Sequence, residues 1–303
     1  MGLTDSSIRT EKQVTLSPPL WEAPDLNLLP SNEEGEQIRY GRELISHTSQ
    51  YLGPNGKVKK ISNGMNCQNC HLGAGTFPYG NNFGLVANKY PVLRGRSGKI
   101  ERIEDRVNDC FQRSLNGERL EENSNEMRAI VAYLKWLGKD VKPENSLLGL
   151  GRKSLQPLNR KADPVIGKTV FLKHCVECHG ANGEGKMLDN NIEWEYPPLY
   201  GPDSYNTGAG QFRLSMFAAF VKYNMPFGTT FEYPVLTDEE AWDVAAYVNS
   251  LDRPQMDLSG DYHNLSYKPF DYPFGPYLDT FPESQHKFGP FKPIQEVIKT
   301  RVE

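Results

Sequence analysis

The sequence predicts a mainly α-helical protein made of one small module written twice. Three observations carry that prediction. The pattern C-x-x-C-H occurs twice, as CQNCH at 67–71 and CVECH at 175–179. Each copy is preceded by a helix-like segment with an internal glycine and followed by an amphipathic segment at helical spacing. No region shows the strand-length alternation of apolar and polar residues expected of a sheet protein. A length of 303 residues suits two domains at roughly 150 residues each.

Composition narrows the function classes. Mean hydropathy is −0.60, and no apolar run approaches the roughly 18 residues of a membrane span, so no membrane span is expected. A net charge of −4 argues against general nucleic-acid binding. Hydrophobic residues make up 38%, while glycine (27) and proline (22) are plentiful. A loop-rich chain with so thin a core often borrows apolar surface from a bound group.

The cysteines identify that group. Cys67, Cys70, Cys175 and Cys178 belong to the two repeats, and Cys110 stands alone. C-x-x-C-H reads as covalent c-type haem attachment. Two thiols add to the haem vinyl groups, and the adjacent His71 or His179 reaches the iron as proximal ligand. Zinc would pool the four thiolates and leave both histidines without a purpose. A redox dithiol would need an alternating strand–helix context, which is absent. Two covalently bound haem c groups are therefore expected. Their attachment occurs outside the cytoplasm, so we expect a periplasmic protein. Residues 1–30 lack a secretory leader, and Met1 is read as the start of a mature or engineered chain whose leader was removed.

The modules can be read element by element. Residues 1–32, polar with several prolines, form an N-terminal arm. Tyr40–Ile45 precedes the first repeat and Ile166–Phe171 the second, with Gly41 and Gly167 as close packing points; Asp163 caps the second helix and Pro164 sits in its first turn. Met127, Ile130, Val131, Leu134 and Leu137 form a closing helix that stops at Gly138. Val244, Tyr247, Val248 and Leu251 form its counterpart, opened by the capping box Thr237-x-x-Glu240. Helix, haem motif, irregular loops and closing helix together resemble the class I cytochrome c fold. The domains are placed at 33–140 and 163–252, with a linker at 141–162. Residues 253–303, rich in aromatics and prolines, should lie across the domains as an ordered strap.

A six-coordinate haem needs a second axial ligand. For the second haem the best candidate is Met225, on a loop before the last helix and followed by Pro226. Met187 and Met216 compete; Met187 lies close to His179 in sequence, and Met216 reads as core. The first domain offers Met127 or Cys110. Met127 starts an amphipathic stripe and should pack there. Cys110 lies 39 residues beyond His71 in a predicted helix, Ile103–Ser114, and shares one face with Arg106 and Ser114 at i, i+4 and i+8. Cations cluster beside it at Arg94, Arg96, Lys99, Arg102 and Arg106. Glu101, Glu104, Asp105 and Asp109 nearly balance them, so half of the run reads as solvated helix surface. On an acidic chain, the more one-sided Arg94, Arg96 and Lys99 suggest an anionic substrate.

Longer segments now become specific. RVNDCFQRSLNG (106–117), NEM (125–127) and AYLKWL (132–137) are joined by PPLYGPDSY (197–205), GAG (208–210), NMP (224–226) and DYPFGP (271–276). Over most of residues 35–292 this resembles the dihaem c-type thiosulfate dehydrogenases, or tetrathionate synthases. The resemblance implies an active haem ligated by His71 and Cys110, and an electron-transferring haem ligated by His179 and Met225. Some relatives carry a lysine immediately before that methionine; here the position is Asn224. The implied reaction couples two thiosulfates to tetrathionate and releases two electrons to a small cytochrome c, with the reverse reduction open. Arg94, Arg96 and Arg106 would hold the dianions and Ser114 would orient their oxygens. The Cys110 sulfur would either leave the iron or form an adduct with substrate. A non-catalytic dihaem carrier, a dihaem peroxidase and a thiosulfate transferase are the competing readings.

Overall fold

The computed structural model describes residues 18–142 and 147–302. Residues 1–17 of the arm and Pro143 of the linker lie outside the described residues. In chain order the first half forms α1 (Glu33–Ser46), α2 (Thr48–Leu52), α3 (Leu72–Gly75), α4 (Val86–Lys89), β1 (Val92–Arg94), β2 (Lys99–Glu101), α5 (Ile103–Arg113) and α6 (Asn125–Leu137). The second half forms α7 (Pro164–His174), α8 (Val176–His179), β3 (Lys186–Met187), β4 (Trp194–Tyr196), α9 (Leu214–Asn224) and α10 (Asp238–Ser250). Two further helices, α11 (Glu283–Phe288) and α12 (Lys292–Val302), end the chain.

Local signals set the helix ends. The Asn32 side chain accepts from Gly35 N–H at 3.0 Å and starts α1. Asp163 accepts from Val165 and Ile166 N–H to start α7, with Pro164 at its first position. Thr237 and Glu240 form the reciprocal capping box of α10. The cation-rich stretch forms a short antiparallel hairpin that pairs Arg94 with Lys99, which puts Arg96 in its turn.

Each half closes by crossing its first helix over its last. A Cβ added at Gly41 would stand 2.0 Å from the Ala129 carbonyl oxygen and 2.8 Å from Tyr133 Cβ. At Gly167 it would stand 1.9 Å from the Asp243 carbonyl oxygen and 3.0 Å from Tyr247 Cβ. Both glycines therefore meet the same pair of positions on the partner helix, four residues apart. Asp243 adds a polar clamp, accepting two hydrogen bonds from Arg160 and one from Asp163 N–H.

Two apolar cores result, and they interlock. Leu44, Phe111, Met127, Tyr133 and Trp136 form the first core together with Tyr205, Ala209 and Phe212 of the second half. Phe171, Phe220 and Trp242 form the second core with Leu155 and Ala162 of the linker and Phe291 and Ile294 of the C-terminal segment. The linker is thus packed down, and the strap ends in two helices. Fully buried Asp271 fixes the strap to the start of α9, accepting from Arg213 and from Ser215 N–H. Across the halves, buried Glu193 accepts from Gln50 at 2.6 Å and Asn66 at 3.0 Å and bonds His47 Nδ1 at 2.9 Å.

These contacts yield two predictions. Gly41→Ala and Gly167→Ala should each cost about 1–3 kcal/mol by overpacking, lowering the thermal midpoint seen by circular dichroism. Gly260→Ala, with nothing within 4 Å, should be neutral. For Glu193, burial alone would raise the pKa, but Gln50, His47 and Asn66 outweigh it and hold the carboxyl below its reference value of 4.5. Its contribution is present above about pH 4.5 and fades as pH falls through the lower folded value. Glu193→Gln should therefore lose roughly 1–3 kcal/mol at pH 7, and the gap to wild type should shrink in melts below pH 4.5.

Candidate active site

The two C-x-x-C-H loops are built alike. His71 N–H donates to the Cys67 carbonyl at 3.0 Å and His179 N–H to the Cys175 carbonyl at 2.9 Å, so each loop is one tight turn. The imidazoles are then fixed from behind. His71 Nδ1 lies 2.6 Å from the Asn81 carbonyl oxygen, and His179 Nδ1 lies 2.9 Å from that of Pro197. A carbonyl only accepts, so Nδ1 carries the proton in both rings and Nε2 keeps its lone pair. Phe83 stacks on His71 at 4.3 Å. Burial pushes His71 down to about 4 and lowers His179 as well, so both are neutral, the form that ligates a metal.

The thiols fit the same purpose. No disulfide joins the five cysteines, and all are half-buried. Burial nevertheless pushes Cys67, Cys70 and Cys175 up to about 12. Each of these sulfurs thus keeps some accessible surface in a largely apolar setting. Arg152 keeps accessible surface, yet burial and then Arg213 and Arg106 lower it to about 10 against the opposing pull of Asp271. Buried Arg253, 4.2 Å over the Tyr205 ring, has Nε and Nη1 without partners. The unpartnered buried donors of Arg253 call for an anionic occupant, and haem propionates have that character. Among the described residues no three His, Cys, Asp or Glu side chains converge as a metal site. The residues present fit one covalent haem in each half.

Helix α5 carries Cys110. Its thiol lies within electrostatic reach of Cys67 and Cys70, and it is the largest influence holding the Arg106 guanidinium above its usual range. Met127 is 0% exposed in the first core, so its sulfur is spent on packing. Ser114, half-buried, ends α5 and donates its N–H to the Cys110 carbonyl at 2.8 Å.

The charges around Cys110 converge on Asp109. Arg106 donates to it at 2.7 Å, Arg96 at 3.2 Å and Arg113 Nε at 2.5 Å. Burial alone would raise Asp109, but Arg106, Arg96 and Arg113 outweigh it and keep the carboxyl below its usual range. Arg94 pairs across the hairpin with Glu101 at 3.5 Å. Arg102, exposed, turns away to Glu122 and Asp105. Exposed Lys99 likewise belongs to the solvated side.

In the second half Met225 ends α9, half-buried and packed against the second core. Asn224 bends back to the Phe220 carbonyl at 3.0 Å. Met187 lies in β3 opposite Trp194. Met216, expected in the core, is half-buried and stands outside the buried cluster.

Comparison with known proteins now bears on the chain. Residues 57–142 match the family model "SoxA/TsdA, cytochrome c domain", and residues 165–252 match "Cytochrome c". The thiosulfate dehydrogenase of Psychrobacter arcticus is 38% identical over 240 residues, covering 78% of this chain and 69% of the relative. That of Allochromatium vinosum is 38% identical over 235 residues, covering 76% and 83%. The chain belongs to the thiosulfate dehydrogenase family.

The structure of thiosulfate dehydrogenase (TsdBA) from Marichromatium purpuratum superposes with a TM-score of 0.70 at 33% identity, over 78% of this chain and 50% of that one. This family member thus spans about half the length of that protein. Its two cytochrome c domains and mainly helical fold are confirmed by these matches. Sequence reading missed four parts of the site in this thiosulfate dehydrogenase family member. Asn81 and Pro197 act through backbone carbonyls, which carry no side-chain signal. Arg113 lies inside the quoted 106–117 motif, but its partner Asp261 lies 148 residues away.

Proposed function

We propose that this family member oxidises thiosulfate at the Cys110 face of α5. Two thiosulfate dianions join through their outer sulfurs into one tetrathionate dianion, and two electrons leave. One observation carries the reading: a cysteine not used by either C-x-x-C-H motif lies within electrostatic reach of Cys67, Cys70 and Arg106, next to Asp109, which binds Arg106 and Arg96. Haem on Cys67 and Cys70, ligated by His71 and Cys110, would accept electrons there, and a second on Cys175 and Cys178, ligated by His179 and Met225, would pass them on.

The chain's own residues solve a charge problem. Unit charges 4 Å apart interact by about 4 kcal/mol at an effective dielectric near 20, and two dianions repel by about four times that. Arg94, Arg96 and Arg106 offset this repulsion, and their forked donors suit sulfonate oxygens. Ser114 presents a hydroxyl one turn beyond Cys110 to orient the same oxygens. The Cys110 sulfur is soft and nucleophilic, matched to the outer sulfur of thiosulfate. The step is chemically reversible, so tetrathionate reduction uses the same site. Covalent haem attachment outside the cytoplasm supports a periplasmic location, and among the described residues no helix is long and apolar enough to cross a membrane. A small cytochrome c suits the role of electron partner.

Variants separate the enzyme from a plain carrier. Mass spectrometry of the holoprotein should show two haem additions. Cys110→Gly should lower kcat on the order of 10²-fold or more and raise the first haem's potential, since a thiolate donates strongly to iron. The second haem's spectrum should stay unchanged. Met225→Gly should instead remove the far-red thioether charge-transfer band. Near-normal turnover in Cys110→Gly overturns the assignment of the site.

A further inference from the structure

Asp261 lies on the C-terminal segment, beyond the second domain and outside every motif read from the sequence. Its side chain is 7% exposed, and it binds α5 directly. Arg113 clasps it with both terminal nitrogens, Nη2 to Oδ1 at 2.7 Å and Nη1 to Oδ2 at 2.9 Å. The Tyr272 hydroxyl donates to Oδ2 at 2.9 Å. Arg96 Nε, which has no hydrogen-bond partner, lies 3.7 Å from Oδ2. The next residue, Tyr262, donates its N–H to the Arg96 carbonyl at 2.7 Å. The strap therefore grips Arg96 by side chain and backbone, and reaches Asp109 through Arg113.

We propose that Asp261 and Arg113 are a positioning pair that aims Arg96 and Arg106 at the Cys110 face, so that the C-terminal strap completes the anion site. The proposal rests on the reading of that face as the place of thiosulfate coupling. Neither residue need touch substrate. Arg113 fixes Asp109, which binds both Arg96 and Arg106, and Asp261 fixes Arg113 and Arg96.

Charge and position make opposite predictions here. Arg96, Arg106 and Arg113 face two carboxylates, Asp109 and Asp261, for a local charge of +1. Asp261→Asn raises it to +2. If only the field mattered, the variant would bind dianions more tightly. If Asp261 positions the arginines, binding weakens. Arg113→Lys supplies the complementary arm, since it keeps the charge and loses the two-pronged grip.

The test measures thiosulfate KM and kcat in turnover, with calorimetric thiosulfate binding to the fully reduced holoprotein, where no electrons can flow. Both variants should raise KM and the calorimetric Kd about tenfold, change kcat less than threefold, and leave both haem spectra unmoved. If Asp261→Asn fails to fold, Arg113→Lys decides alone. A lower or unchanged KM in Asp261→Asn, or wild-type KM in Arg113→Lys, overturns the positioning role. A wild type that neither turns over nor binds thiosulfate overturns the functional reading itself.

Discussion

The structure depends on two helix crossings so close that only glycine fits. Gly41 against Ala129 and Gly167 against Asp243 bring the first and last helices of each half within backbone contact. That crossing sets where the intervening loops start and end. The C-x-x-C-H turns follow from it, since Thr48, just beyond α1, accepts from Cys67 N–H, and Cys175 follows α7 directly. With so little apolar sequence available, the tight crossings secure each module while leaving the cysteine sulfurs partly accessible.

The second constraint is electrostatic. In the proposed function an acidic chain brings two dianions together, which requires a local concentration of cations, and packed cations need partners of their own. Asp109 and Asp261 supply those partners without cancelling the charge. The same carboxylates that keep the cluster folded also fix its aim. On the proposed reading, stability and anion recognition are carried by the same ion pairs, and the strap contributes to both.

Much of this was legible in the residues. The paired motifs, both crossing glycines, the caps at Asp163 and Thr237, and helix α5 to within a residue follow from local rules of spacing and capping. The sequence rules failed where a residue's role depends on distant chain. Asp109 reads as one of four acids balancing a solvated helix, yet it gathers Arg96, Arg106 and Arg113, while Asp105 pairs with Arg102 and Arg119 on the more exposed side. Nothing near Asp261 or Glu193 announces a long-range partner, because their partners are set by packing of the two halves. Met216 shows the converse, where an apolar run on α9 overstated burial.

The central claim is that thiosulfate is coupled at this site and the electrons exit through the chain. Anaerobic mixing of oxidised holoprotein with thiosulfate and a small cytochrome c acceptor, with electrons and sulfur products counted together, tests it most directly. The account predicts that two thiosulfates disappear for each tetrathionate formed and each two electrons delivered. No reduction of the acceptor, or sulfite and sulfate as the products, would contradict it.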